Sequence, residues 1–273
     1  MKALQSDGLS QRQACSLTRC PRRTAQHRSR RVRSDEPLRS ALRDLAHERP
    51  RFGWRKLAIL LKRQGLVANH KRLRRIYRAE GLQVRPRKKR RVRLVRGNVQ
   101  LPVEQLNDEW GLDFMEDRLF HGRKVRALTI EDRLSREGLA LEIDFSLTGR
   151  RVVRELDAIA ALRGYPKRLR VDNGPELTSS AVLTWSVAHG VQLHFIDPGK
   201  PAQNAWIESF NARVRDEFFN LHLCRSLPEI RAEAFTWLAD YNEVRPHGSL
   251  ANLTPKEFVD SLPTCILPQL SLA

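Results

Sequence analysis

The length, composition and charge of the chain restrict the classes of protein to which it can belong. Its 273 residues suffice for one domain of roughly 150 residues and a smaller module. With 50 Lys and Arg against 31 Asp and Glu, the formal net charge is +19, which favours a polyanionic partner, nucleic acid before an anionic membrane surface. No apolar run approaches the roughly 20 residues that span a bilayer, so we expect a cytoplasmic protein with no membrane partner.

The first 35 residues are polar and rich in Arg, and we predict a weakly ordered, basic lead-in with at most a short helix. Two of the four cysteines, Cys15 and Cys20, lie here, and with His27 they resemble half of a zinc site. No second pair of ligands follows at a suitable spacing, so zinc is not favoured. The cysteines show no disulfide framework and are expected to be reduced thiols.

Residues 36–82 have the pattern of a small all-α domain. Leu38, Leu42 and Leu45 recur at helical spacing, and a second apolar run follows at 54–61. Asn69 is placed to cap a third helix, which is strongly basic. Three short helices of this kind are typical of a helix-turn-helix that lays its last helix in the major groove, although a merely solvated basic helix is an alternative. The candidate DNA contacts are Lys71, Arg72, Arg74, Arg75 and Arg78.

Residues 83–106 separate this domain from the rest of the chain. Between 85 and 96 almost nothing apolar lies among the cations, so the segment cannot bury a core and is expected to be an extended linker. Its side chains would bind phosphates and give affinity without sequence information. The candidate contacts in the linker are Arg87, Lys88, Lys89, Arg90 and Arg91.

Residues 107–262 alternate between strand-like and helical patterns, before a short tail at 263–273. Three strand-like runs come first and predict an antiparallel meander. Helices and strands then alternate, and two long amphipathic helices end the domain. This order predicts an α/β fold with a mixed sheet covered by helices. The strand-like runs lie at 109–118, 124–134, 137–145, 168–172 and 191–197, and the helical ones at 149–164, 179–189, 203–221 and 227–241.

Three carboxylates stand out by their context. Asp113 lies in an apolar strand, where a charge needs a partner or a metal, and Asp172 ends a strand before a Gly turn. Glu208 lies in a helix, close to Asn204 and Asn211. Spacing alone proves little, because 31 acidic residues make many pairs at any separation.

Histidines offer another set of candidate groups for proton transfer. His189 and His194 lie in helix and strand patterns, where a packed or surface His is the more frequent case. The role of His247 stays open at this point.

Four motifs together resemble the catalytic core of bacterial insertion-sequence transposases, the retroviral-integrase-like DDE enzymes encoded by the second reading frame of a two-frame element. The resemblance extends over residues 37–258, and its last two motifs are highly specific. Ala212 stands where a Gly is expected, and Glu131 where an apolar residue is common. The motifs are Trp110-Gly-Leu-Asp-Phe114, Asp172-Asn-Gly-Pro-Glu176, Pro198-Gly-Lys-Pro-Ala-Gln-Asn-Ala-Trp-Ile-Glu-Ser-Phe-Asn211 and Tyr241-Asn-Glu-Val-Arg-Pro-His247.

The resemblance implies a ribonuclease-H-like fold in which Asp113, Asp172 and Glu208 are the catalytic residues and the ligands of two Mg²⁺ ions, with Mn²⁺ able to substitute. It implies cleavage of the element's ends and strand transfer into target DNA. Arg215 follows Glu208 by seven residues, about two helical turns, and would hold terminal DNA near the metals. Further candidate DNA contacts are Lys200, Asn204 and Asn211.

The implied partners are double-stranded DNA, both element ends and target, a second copy of the chain, and a protein from the upstream reading frame. Bound to DNA, the protein would be associated with the nucleoid. Two alternatives remain at this stage. One is a catalytically inactive DNA-binding regulator, and the other is a ribonuclease-H-like nuclease that cuts without joining. The intact set of carboxylates argues against the first, and the separate DNA-binding module and Arg215 argue against the second.

Overall fold

The computed structural model describes residue 6 and residues 8–26, 30–84, 102–197 and 201–263. The chain divides into two compact units, residues 1–86 and 87–273. The linker cations at 87–91 and Lys200 lie outside the described residues, so their DNA contacts stay predictions. Among the described residues, no helix is both long enough and apolar enough to cross a membrane.

The first unit is helical, and its core is the one that the leucine pattern predicts. The side chains of Leu42, Leu57, Leu61 and Ile76 are fully buried between three of its helices. The lead-in is more regular than predicted, because Ser10 forms a capping box at the start of a short helix. The helices are α1 (Gln11–Leu17), α2 (Arg22–Gln26), α3 (Arg30–Glu48), α4 (Trp54–Arg63) and α5 (His70–Ala79). Helix α3 thus begins at Arg30, whereas the sequence pattern places the start of the helical domain at residue 36.

Ion pairs join α5 to α3 and involve two of the predicted DNA contacts. Asp35 is 1% exposed and accepts hydrogen bonds from both Arg72 and Arg75, and the bond from Arg75 is the main reason that the pKa of Asp35 is lowered. Arg72 and Arg75 therefore have a structural role, and their contacts with DNA stay predictions. At the other end of α5, Glu80 pairs with Arg39 and Arg43. The exposed Lys71, Arg74 and Arg78 form no ion pair within the described part of the chain.

The second unit is built on a five-stranded mixed sheet. The strand order is β3-β2-β1-β4-β5, with the first three strands antiparallel and β1, β4 and β5 parallel. This is the predicted ribonuclease-H-like arrangement. The strands are β1 (Glu109–Arg118), β2 (Lys124–Asp132), β3 (Gly138–Asp144), β4 (Arg168–Val171) and β5 (Gln192–Phe195).

Helices cover both faces of the sheet. Helices α6 (Gly149–Arg163) and α7 (Ser180–Ala188) pack against the face that carries Trp110 and Leu112. The opposite face is covered by α8 (Ala205–Arg213), a π helix (Val214–Phe219) and α9 (Leu227–Glu243). Because side chains alternate along a strand, Asp113 projects from this second face, toward α8. Two short 3₁₀ helices (Pro201–Asn204 and Gly248–Leu250) and α10 (Pro255–Asp260) complete the unit.

The side chains of Tyr241, Arg245 and His247 in the Tyr241–His247 motif are buried in the core. The Tyr241 hydroxyl donates to Glu131 Oε1 over 3.2 Å, and the side chain of Asn242 bonds both backbone groups of Gly138 on the edge strand. Arg245 forms two 2.7 Å bonds to the Glu217 carboxylate of the π helix. His247 is 5% exposed, with its Nε2 3.1 Å from a backbone carbonyl oxygen of α9. The motif therefore has a structural role in the second unit.

Glu131, which departs from the family pattern, is the carboxylate that this motif buries. Burial raises its pKa to about 8, above its ordinary value of 4.5. Opposing contributions come from the positive charges of Arg136 and Arg245 and from the Tyr241 hydrogen bond, whereas Asp132 adds to the increase. At neutral pH the folded protein therefore favours a protonated Glu131 that the unfolded chain would ionise.

We predict that Glu131→Gln raises the melting temperature of the protein at pH 8 and leaves it nearly unchanged at pH 5. The folded state holds a proton that the unfolded state releases above about pH 4.5, so Glu131 lowers the free energy of unfolding as pH rises toward 8. The amide has no such titration. The expected difference at pH 8 is roughly 10 °C, measured by calorimetry across the pH range. Parallel stability profiles of the two proteins would show that Glu131 is already ionised.

Candidate active site

Asp113 lies at the centre of the site, in the middle of β1. Its side chain is half-buried, and its Oδ1 accepts a 2.7 Å hydrogen bond from the backbone N–H of Phe114. Its Oδ2 accepts a 2.7 Å bond from Asn211 Nδ2, on α8. Thr129 is the cross-strand partner of Asp113 on β2, and its hydroxyl lies 2.7 Å from Asn211 Oδ1 and 3.1 Å from the Asp113 carbonyl oxygen. Two strands and a helix therefore fix the position of one carboxylate.

Asp172 directly follows Val171, the last residue of β4, and β4 is the strand next to β1. Because β1 and β4 are parallel, with Gly111 opposite Arg170, Asp172 comes at the level of Asp113 where β4 ends. Its Oδ1 accepts a 2.9 Å bond from the Gly174 N–H. A Cβ at residue 174 would come within 2.9 Å of the same oxygen, so the Gly of this motif leaves room for the carboxylate.

Glu208 is on α8, whose position depends on close packing against the sheet. A Cβ at Gly111 would collide with the Trp206 indole, so the Gly two residues before Asp113 is what admits Trp206 to the face of β1. Ile207 and Phe210 are fully buried beside it. Glu208 itself is exposed, on the solvent side of a helix whose other side is fixed. Asn211 follows Glu208 by three residues and links the same helix to Asp113.

The three carboxylates interact electrostatically at Asp113. Burial is the largest cause that raises the pKa of Asp113, to about 6 from an ordinary 3.8. Hydrogen bonds from Phe114 and Asn211 oppose this increase, and the negative charges of Asp172 and, more weakly, Glu208 add to it. The site therefore disfavours the anionic form of Asp113 until a positive charge is present.

Oxygen donors and unrelieved negative charge are what a hard divalent cation requires. Asp113, Asp172 and Glu208 meet that requirement in chemistry and in mutual repulsion. Among the described residues, however, no three Asp, Glu, His or Cys side chains approach closely enough to hold one ion. The residues fit a divalent metal, and Glu208, on the exposed side of α8, is the most peripheral of the three.

Other predicted site residues have different roles from those expected. The first of the two long terminal helices is not a continuous α helix, because a π helix begins at Val214 and ends the two-turn spacing that related Arg215 to Glu208. Arg215 pairs with Asp117 and donates to the Glu116 carbonyl over 2.6 Å. Its contact with terminal DNA stays a prediction.

Asn204 and Asn211 are also corrected as DNA contacts, because they are 4% and 8% exposed. Asn211 instead orients Asp113, a role that its position three residues from Glu208 could have indicated. Nothing in the sequence singles out Thr129, which completes the contact. Glu176, four residues past Asp172, forms an ion pair with Arg126, which lowers its pKa.

The histidines lie away from the carboxylates. His189 stacks on Tyr165, with ring centroids 4.1 Å apart, and burial lowers the pKa of His194 on β5. His247 belongs to the buried motif of α9. None of the three contacts Asp113.

Comparison with known proteins agrees with this architecture. Models described as an integrase core domain match residues 104–201 and 189–255, and an HTH-like domain model matches residues 33–90. An uncharacterized 31.7 kDa protein of insertion element IS407 from Burkholderia multivorans is 45% identical over 92% of this chain and 90% of its own. The chain belongs to the bacterial insertion-sequence transposases. It is a DDE-type DNA transposase encoded as a second-reading-frame product, and membership of this family implies dependence on a divalent metal.

Two further relatives extend the comparison. A 39.2 kDa protein of insertion element IS476 from Xanthomonas euvesicatoria is 38% identical over 94% of this chain and 74% of its own. The putative transposase InsK of IS150 from Escherichia coli is 25% identical over 81% of this chain and 82% of its own.

Among solved structures, a simian T-cell lymphotropic virus intasome complexed with a PP2A regulatory subunit matches with a TM-score of 0.54 and 16% identity, over 86% of this chain and 79% of that one. At this identity the likeness concerns the fold alone.

We predict that Asn211→Ala lowers DNA strand joining by roughly 10- to 100-fold while DNA affinity is retained, because Asn211 orients a carboxylate and lies away from the surface. The Mg²⁺ concentration for half-maximal joining should rise as well, which a general loss of stability would not cause. Asn220→Ala, at the exposed end of the π helix, is the control. Unchanged Mg²⁺ dependence in Asn211→Ala would argue against an orienting role.

Proposed function

We propose that Asp113, Asp172 and Glu208 are the catalytic carboxylates of this transposase, and that together they hold two Mg²⁺ ions, which Mn²⁺ can replace. The observation that carries the proposal is the half-buried Asp113, held by α8 and repelled by the other two carboxylates. When bound, such ions activate an attacking hydroxyl and stabilise the leaving oxygen of a phosphodiester. The proposed reactions are cleavage at the element's ends and joining to target DNA.

The protein's own residues orient the three carboxylates before DNA binds. The Phe114 N–H and Asn211 each hold one oxygen of Asp113, so that this carboxylate has a defined orientation before DNA arrives. The Gly174 N–H does the same for Asp172. Glu208 is positioned through the anchors of α8, Trp206 and Phe210, which fill spaces left by glycines on β1 and β3. Positioning of this kind reduces the rearrangement needed in the reaction.

We propose further that α5 binds the major groove of duplex DNA through Lys71, Arg74 and Arg78. These three cations lie on the exposed side of α5, whereas Arg72 and Arg75 are held by Asp35. A helix that is fixed to its domain by two ion pairs can present its remaining cations with little loss of freedom on binding. The duplex would be the element's end.

The same proposal includes assembly. An element has two ends that must be joined to one target, so at least two copies of the chain are expected on DNA. The intasome with which this fold compares is a DNA-integrating assembly by name, and this supports an oligomer here. A protein from the upstream reading frame would add further recognition of the ends.

The carboxylates are tested by Asp113→Asn, Asp172→Asn and Glu208→Gln, each of which keeps the shape of its side chain. Each should lower Mg²⁺-dependent cleavage and joining by at least roughly 100-fold, more than the loss of a supporting residue, because a charge that holds the ion is removed. DNA binding, measured by retention on a filter, should persist. Glu116→Gln, an exposed carboxylate of the same strand, is the matched control. Robust joining by any of the three variants would refute its assignment.

For the helix-turn-helix, Arg74→Ala should weaken binding to end DNA by roughly 10-fold and leave the melting temperature unchanged. Arg75→Ala should instead lower the melting temperature, because it removes a partner of the buried Asp35. Titration of each variant with DNA, beside thermal unfolding, separates the two effects. If Arg74→Ala bound end DNA as tightly as the parent protein does, α5 would not be the recognition helix.

A further inference from the structure

The hairpin formed by β1 and β2 extends past the end of the parallel strand β4, at the end of the sheet where the active site lies. Strand β4 pairs with β1 only as far as Gly111 and ends at Val171, whereas β1 continues to Arg118. Residues 114–128, here called the arm, therefore extend past Asp113 on the edge where Asp172 lies. At about 3.4 Å per residue, Arg118 is about 17 Å from Asp113 along the strand. Any duplex whose backbone reaches these carboxylates from that edge passes close to the arm.

The tip of the arm carries cations that the fold does not neutralise. Arg118, Arg123 and Lys124 are exposed, and so is Arg225, which lies beneath the tip. None of these four forms an ion pair within the described residues. Elsewhere in the second unit eight arginines pair with carboxylates, whereas Arg136, Arg150, Arg154, Arg168 and Arg213 form no ion pair within the described residues, so the tip is distinguished by the clustering of its unpaired cations. The paired arginines include Arg126, Arg133, Arg151, Arg163, Arg170, Arg215, Arg231 and Arg245.

The cations of the tip are held in place by neutral partners. Phe120 is 65% exposed, and the Arg225 guanidinium lies 5.8 Å from its ring centroid. Arg123 lies 3.5 Å over the Phe145 ring, and Arg118 donates to the Gly122 carbonyl over 3.3 Å. The Phe120 N–H donates to the Cys224 carbonyl over 2.9 Å, which fixes the turn to the segment after the π helix. Exposed aromatic rings among unpaired cations are typical of nucleic-acid-binding surfaces.

We propose that the arm binds the phosphate backbone of duplex DNA about five base pairs from the reacting phosphodiester, since 17 Å corresponds to about five steps of 3.4 Å. This proposal rests on the proposed function, because the position of the reacting bond is taken from Asp113 and Asp172. The backbone of an element end and that of target DNA have the same chemistry. The contacts carry no sequence information and hold the duplex along the arm.

The test compares two double variants of the full chain. Arg118→Gln with Lys124→Gln removes two charges from the arm. The control, Lys167→Gln with Lys256→Gln, also removes two exposed charges. Lys167 pairs with Asp108, and Lys256 pairs with Glu243. Lys167 precedes β4 and therefore lies at the end of the sheet opposite to the active site. Each protein is titrated without divalent metal, over a range of salt, with a duplex that carries the terminal sequence of the encoding element and with a random-sequence duplex.

The arm variant should give a plot of log affinity against log salt that is shallower by about 2, because two phosphate contacts are lost, and the control should keep the parent slope. Arg225→Gln alone should make the slope shallower by about 1. Because Arg225 lies outside residues 114–128, this variant tests the tip of the arm independently. A change with the terminal duplex assigns the arm to the element end, and a change with the random duplex alone assigns it to target DNA. Circular dichroism checks that each variant is folded.

Equal slopes for the arm variant and the parent protein, or equal losses in the arm and control variants, would overturn the proposal. Ethylation interference locates the contact independently. Modified phosphates about five base pairs from the cleaved bond should hinder binding of the parent protein but not of the arm variant. Strand joining is measured beside these experiments, so that a chain that binds through its arm but joins no DNA would refute the proposed function and leave the arm intact.

Discussion

A carboxylate held in the middle of a sheet is the constraint on which the catalytic unit depends. Asp113 lies where burial disfavours its charge, and Asp172 and Glu208 disfavour it further. The protein supplies two hydrogen bonds to it and no cation. Among the described residues, all the compensation comes from neutral donors, the Phe114 N–H and Asn211. Such a site is stable enough to fold and remains electrostatically incomplete, which is the condition that favours divalent-metal binding.

Much of what surrounds Asp113 exists to bring α8 close to the sheet. Gly111 removes a side chain from β1 so that Trp206 can lie on the strand, and Gly138 does the same for Phe210. The helix that carries Glu208 then has one approach to the sheet. Behind it, Arg245 and Glu217 fix the π helix, and Asn242 bonds the edge strand. The Tyr241–His247 motif therefore acts on catalysis only through the position of these helices.

The sequence was sufficient to predict a mixed sheet with three antiparallel strands and helices that cover it, because strand alternation and helical periodicity are local patterns. The catalytic role of Asp113, Asp172 and Glu208 comes from their context and from the family resemblance, and it stays a prediction. The sequence could not predict which cationic side chains form no ion pair. Arg72 and Arg75 resemble Arg74 in sequence, and only their contacts with Asp35, distant in the chain, distinguish them. The π helix was missed for a related reason. Its amphipathic pattern continues that of α8, and tertiary packing decides the change in period.

The distribution of charge between paired and unpaired arginines gives the net charge of +19 a functional meaning. In the second unit, arginines such as Arg170 and Arg245 are buried with carboxylates and contribute to the fold, so they add little to the field outside the protein. The unpaired cations of the described chain include those on α5 and those at the tip of the arm, which belong to different units. A long polyanion bound at both places would neutralise charge that neither unit neutralises by itself. The excess of basic residues is thus better explained by an extended duplex than by a small anionic ligand.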